Sequence, residues 1–241
     1  MSASTRHRGR RRLVSQEMYE TVFGTVYIGL ATNVLLVAAT LPLLVVLLAT
    51  DPTVSWPALA LLAPLLAPAL VAAFAVFTAF STDGSTAAVR TFWRAYRRHA
   101  RRALAIGALT SAVVVVLAVD VVAVWGARIG AAAIPVFATL LVLAVLTALV
   151  ALAATPVLPG VRLRDLLRTS LYLAVRRWYL SVTALAVLGL LAGVVVTSPA
   201  IGLGFATAPL LFVVWGGCRV ALRSVVPDGA TPAAHGTAVP S

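Results

Sequence analysis

The sequence predicts an all-α polytopic transmembrane helical bundle of six spans, with an interfacial amphipathic helix between spans 2 and 3. Three observations carry that prediction. Of the 241 residues 61% are hydrophobic and 11% charged, against roughly 45–50% and about 25% in soluble domains. The charges leave long gaps: residues 21 to 50, 52 to 82, 103 to 119, 129 to 161 and 178 to 218 carry none, and a crossing helix needs about 20 apolar residues. The 19 basic residues are all Arg, and they cluster between alternate gaps. Such a composition excludes a soluble enzyme, a disulfide scaffold and a disordered tail protein.

The elements are taken in chain order. Residues 1–20 form a basic cytoplasmic segment with Arg6, Arg8, Arg10, Arg11 and Arg12. They resemble a signal-peptide n-region, but the apolar stretch after them is about 27 residues, too long for an h-region, so it is expected to be retained. Residues 21–222 form the six-span domain, with spans at about 22–49, 58–80, 103–125, 131–155, 179–197 and 200–219. The last two share one uncharged gap of 41 residues. As a single helix it would be about 60 Å long, twice the hydrocarbon core, so it must turn. Thr197-Ser198-Pro199, Gly202 and Gly204 supply the breakers, since Pro lacks a donor and Gly weakens a helix. Residues 223–241, with Pro227, Gly229, Pro232, Gly236 and Pro240, read as a disordered cytoplasmic tail.

Orientation rests on an independent count. With both termini inside, 18 of 19 Arg lie in cytoplasmic segments and only Arg128 lies outside, as the positive-inside rule requires. The Arg, Ala, Val and Leu bias suits a GC-rich bacterial genome, so the expected location is a bacterial plasma membrane. The basic charge is thereby explained as topology. No nucleic-acid partner is expected, because no groove-reading helix or stacking platform accompanies the arginines.

The segment 86–102 is the richest. At 100° per residue, Arg90, Arg94, Arg97, Arg98, Arg101 and Arg102 share an arc of about 140°, while Val89, Phe92, Trp93, Tyr96, His99 and Ala100 occupy an opposite arc of about 120°. The expectation is a helix in the membrane plane, starting near residue 86 with Asp83 or Ser85 as its cap. Phe92, Trp93 and Tyr96 would face acyl chains. The arginines would face anionic headgroups of membrane lipids or dock a cytoplasmic protein or membrane transporter. Arg97-Arg98 also aligns with Arg176-Arg177, which places Phe92 against Leu171 and Trp93 against Tyr172. A duplicated hairpin and ordinary repetition of interface anchors both account for that match.

Asn33 to Pro42, Ala69 to Phe80, the run Phe92-Trp93-Arg94-Ala95-Tyr96-Arg97-Arg98, and Leu163-Arg164-Asp165-Leu166-Leu167-Arg168 together resemble the YesL family of bacterial membrane proteins, over roughly residues 17 to 222. Leu36 departs from the pattern, which often has Trp there. The resemblance implies a membrane protein of five to six spans, commonly encoded beside carbohydrate importers and carbohydrate-degrading enzymes. It implies no catalytic residue.

Within the spans two polar groups stand out. Asp120 would cost about 2.5–3.5 kcal/mol at a helix centre. It lies close to Trp125 and Arg128, so it reads as an interface group paired with Arg128 or water, with a proton or substrate site as the alternative. Asn33 reads as an interhelical hydrogen bonder or the lining of a polar cavity. Pro42, Pro64, Pro68, Pro135 and Pro209 interrupt spans; broken helices build substrate sites in transporters, and Pro is also simply common in membrane helices. Gly189 and Gly193 form a GxxxG pattern suited to packing within the bundle or to an oligomer. Cys218 is alone, His7, His99 and His235 are scattered, and no phosphate-binding glycine motif occurs, so no metal, no cofactor and no enzymatic activity are expected. The function expected is a non-enzymatic accessory component associated with carbohydrate uptake, the alternative a small transporter in its own right.

Overall fold

Proline and alanine shape the centre of this protein. A computed structural model describes residues 4–127, 130–158, 160–176, 178–197 and 202–223, and among them all regular structure is helical. The elements are α1 (Ser4–Ala49), α2 (Pro52–Leu62), a 3-10 turn (Ala63–Leu65), α3 (Leu66–Asp83), α4 (Ala88–Ala123), α5 (Gly130–Ala154), α6 (Leu163–Arg176), α7 (Trp178–Thr197), a π-turn (Gly202–Ala206) and α8 (Thr207–Arg223). Among the described residues four stretches are long and apolar enough to cross a membrane: Phe23–Ala49, Thr53–Asp83, Ala88–Ala123 and Ala132–Ala154. The chain is thus a membrane-embedded helical protein. Of the two further spans expected, α7 has 20 residues and α8 has 17, and neither is among those four stretches. The π-turn takes up the first residues of the expected last span, and residues 198–201, including Pro199, lie outside the described residues.

Helix α3 is the hub, packed by α1, α4, α5 and α8. Ala69, Val71, Ala72, Ala73 and Phe74 are completely buried. In lipid no hydrophobic effect drives helices together, so close contact between small residues does that work. The Ala-rich face of α3 provides it. At the far end, Thr50 and Asp51 alone separate α1 from α2. Asp51 caps α2, its Oδ1 accepting from the Thr53 N–H at 2.9 Å and the Thr53 hydroxyl at 2.8 Å. These two bonds hold its carboxyl below the usual carboxylate range.

The second crossing is one expected span interrupted by a 3-10 turn at Pro64. Pro64 has no N–H, so the Ala60 carbonyl loses its helical donor. The Ser111 hydroxyl of α4 donates to that carbonyl at 2.8 Å. One turn earlier on α4, Gly107 lets the two backbones meet: a Cβ there would sit 2.8 Å from Ala67 Cβ and 2.9 Å from the Pro64 oxygen.

The segment 86–102 is corrected in three respects. It does not form its own helix in the membrane plane, because α4 runs unbroken from Ala88 to Ala123, 36 residues or about 54 Å. No Pro or Gly separates Arg102 from Ala103, and Ala100, Ala103 and Ala105 favour continuation. A segment continuous with a crossing helix runs along the same axis. Asp83 and Ser85 do not cap it either: Asp83 ends α3, Gly84 closes that helix in the left-handed conformation (φ 60°), and α4 begins after Ala87 without a side-chain cap. Finally, the buried face is Ala88, Phe92, Ala95, Ala103 and Ile106, rotated by about 60° from the expected aromatic arc.

Candidate functional site

Five of the six arginines share one exposed stripe. Arg90, Arg94, Arg97, Arg98 and Arg101 are all exposed and fall within about 100° of helix surface, opposite the buried face. Arg102 falls outside that stripe and turns inward. Its Nη1 donates to the Leu158 carbonyl at 3.1 Å and its Nη2 to the Val161 carbonyl at 2.7 Å, fastening the α5–α6 connection to α4. Phe92 is fully buried, Tyr96 half-buried, and Trp93 is 40% exposed. The three rings form one cluster, with centroids 5.5–6.2 Å apart.

The length of α4 decides what the stripe can reach. Arg101 and Asp120 bracket a stretch of about 28 Å, close to one hydrocarbon thickness. Arg94 and Arg90 then stand about 10 and 16 Å beyond Arg101 along the axis, past a headgroup zone of about 5–8 Å. Lipid charges that far away are screened with a Debye length of about 8 Å. The outer half of the stripe therefore stands beyond the headgroup zone when α4 crosses along the membrane normal.

Asn33 is buried, and its Oδ1 accepts from the Ala208 N–H at 2.7 Å. Ala208 stands where the π-turn gives way to α8, a place where the backbone ladder changes register and needs outside partners. Asn33 therefore joins α1 to a helix start 175 residues away. It also borders a groove of about 510 Å³ between α1, α3 and α8. Only Thr25 and Asn33 among its lining residues are polar. A second cavity, about 260 Å³, is walled by leucines of α1, α3, α5, α7 and α8 together with Val37, Thr40 and Thr207. Six residues past the groove residue Val213 on α8, Arg219 donates to the Ser81 hydroxyl and lies 5.2 Å over the Trp215 ring. Nothing in the sequence pattern pointed to Gly29, Phe205 or Phe212, which line one groove only through the fold.

Asp120 is half-buried one turn before the end of α4, and its carbonyl accepts from the Val124 N–H. Its expected partner Arg128 lies outside the described residues. Gly189 and Gly193 face open space, so neither packs inside the bundle. Among the described residues no group of His, Cys, Asp and Glu could hold a metal ion. No protein-family model matches this chain, and neither a curated protein nor a solved structure matches it.

Proposed function

We propose that the chain is a non-enzymatic accessory protein of a bacterial plasma membrane. Both termini would be cytoplasmic, and the α4 stripe would bind an acidic surface on a cytoplasmic protein or a membrane transporter. The observation that supports this reading most is the unbroken α4, whose exposed Arg90 and Arg94 extend past the depth of lipid headgroups. Association with carbohydrate uptake is supported by the resemblance to the YesL family alone. The transporter alternative finds less support. A sugar needs several converging hydrogen-bond partners, because each stranded hydroxyl costs about 1–3 kcal/mol, whereas both cavities are almost wholly apolar. Gly189 and Gly193 offer a face for a second copy, since added Cβ atoms there meet nothing.

The test is growth on, or uptake of, carbohydrate in the native host, with membrane abundance followed by immunoblot. Replacing Arg90, Arg94 and Arg97 by Gln should lower the response by about tenfold or more at normal abundance, as expected for losing several charge-assisted contacts. Asp120→Asn should leave it within about twofold. The opposite pair of results would replace this reading with the transporter.

A further inference from the structure

We propose that the groove between α1, α3 and α8 binds one anionic phospholipid, with an acyl chain against its aromatic wall and the phosphate at Arg219. At about 510 Å³ the groove has the size of a small-ligand site. Phe77, Phe80, Phe205 and Phe212 form much of its wall. It opens sideways, because its rim residues Val26, Leu30, Phe205 and Val213 are each about half exposed or more. Water does not fill such a space inside a bilayer, and a hydrocarbon chain does.

Depth selects the lipid's orientation. Charge on α1 ends at Glu20 and resumes at Asp51, so Thr25 and Asn33 lie about 8 and 20 Å into the uncharged stretch. The groove thus descends from the Arg-rich interface toward mid-membrane. Arg219 is the first charge after residues 178 to 218, about 9 Å along α8 beyond the groove residue Val213. Ser81, to which it donates, adjoins Phe80 of the groove wall, and Trp215, on which it stacks, contacts Phe212 with ring centroids 5.3 Å apart. A guanidinium offers five donors in a planar fork that suits phosphate, and Ser81 takes one. A positive group fixed at the interfacial end of an apolar slot is complementary to a lipid of net negative charge, more than to one whose ammonium cancels its phosphate.

Native mass spectrometry of the full chain, released from detergent with equal phosphatidylglycerol and phosphatidylcholine, tests this. One retained phosphatidylglycerol per chain is expected, preferred by about tenfold over phosphatidylcholine. Gly29 lines the groove, and a Cβ built there meets nothing within 4 Å. Gly29→Phe should therefore fill the slot without backbone strain and cut retention of both lipids by about tenfold. Val213→Phe is a second plug from the rim, and circular dichroism checks that each variant is helical. Arg219→Gln should keep the chain-dependent retention and lose the headgroup preference. Equal retention in the wild type and both folded plug variants would mean surrounding lipid only, and would overturn the proposal. So would a lipid-free dimer that Gly29→Phe converts to monomer, because the occupant would then be a second copy.

Discussion

Two Arg-bearing segments precede apolar stretches, residues 88–102 of α4 and the whole of α6, and they are held differently. Arg97-Arg98 sits inside the unbroken α4, whereas α6 is described as far as Arg176 and Arg177 lies outside the described residues. The residues after each pair differ in helix preference. His99-Ala100-Arg101-Arg102-Ala103-Leu104-Ala105 is mostly strong helix formers, while Trp178-Tyr179-Leu180-Ser181-Val182-Thr183 is largely aromatic, β-branched or hydroxylated, each such residue weaker by up to about 0.7 kcal/mol. Anchoring differs too. α4 is gripped at Gly107 and Ser111 by residues 60–67 and at Arg102 by the α5–α6 connection. α6 lays Leu166, Ser170, Leu173 and Ala174 inward, and its Arg176 donates to Tyr172 of the same helix. Its arginines are also offset by Asp165, while residues 86–102 contain no acid. The α4 stripe therefore stands on a helix that is continuous and held.

The largest effect should come from removing that hold. Gly107→Leu would push α4 off the Pro64 turn, because the contacts at 2.8 and 2.9 Å include backbone. The expected cost is about 3 kcal/mol or more, read as loss of folded protein in detergent by size-exclusion chromatography. A stable, normally folded variant would show that α4 is not gripped there.

Ala100→Pro should break α4 between its Arg stripe and its apolar stretch. Pro removes one ladder bond and clashes with the preceding turn, for about 3 kcal/mol locally. Spin labels at exposed positions 90 and 109 should stand about 28 Å apart along the axis in the continuous helix, and show a broad, shifted distribution in the variant. An unchanged distribution would mean that packing, not the ladder, keeps the segment straight.

Arg102 and Arg98 differ by position on the wheel, and stability should separate them. Arg102→Ala loses two charged hydrogen bonds to carbonyls, about 2–3 kcal/mol with the carbonyls left to find other partners. Arg98→Ala, at an exposed position, should change stability by less than about 0.5 kcal/mol. Thermal unfolding of both in the same detergent gives the comparison, and equal shifts would remove the structural role of Arg102.

Much of this fold can be read from the sequence, for stated reasons. The expected span at 131–155 is found as Gly130–Ala154, and the turn after residue 49 is where the charge gap ends. Uncharged gaps fix such segments without knowledge of their neighbours. The rotation of the α4 face was hidden because Trp93 and Tyr96 outrank Ala88 and Ala95 in hydrophobic bulk, whereas helix contact in membranes favours the alanines. The groove was hidden because its walls come from residues 25–33, 77–80 and 205–213, which no local pattern connects. Asn33 was legible as an interhelical bonder, although its partner, a backbone N–H of α8, leaves no mark in side-chain spacing.

The smallest effect isolates one hydrogen bond of the α4 grip and gives the comparison with α6 its finest test, since the Arg176 contact to Tyr172 stays within one helix. Ser111 serves the Ala60 carbonyl only because Pro64 lacks the N–H that would ordinarily do so. Ser111→Ala should therefore cost about 1 kcal/mol. Pro64→Ala restores a donor four residues after Ala60, so in that background the Ser111 hydroxyl becomes redundant and its removal should cost nearly nothing. The cycle of two single variants and the double variant, measured by unfolding in one detergent, should then give a coupling of about 1 kcal/mol between residues on different helices. Additive costs would mean that the Ala60 carbonyl stays unserved by the helix even when residue 64 can donate. The 3-10 turn would then be held by the approach of Gly107 to its backbone rather than by proline chemistry.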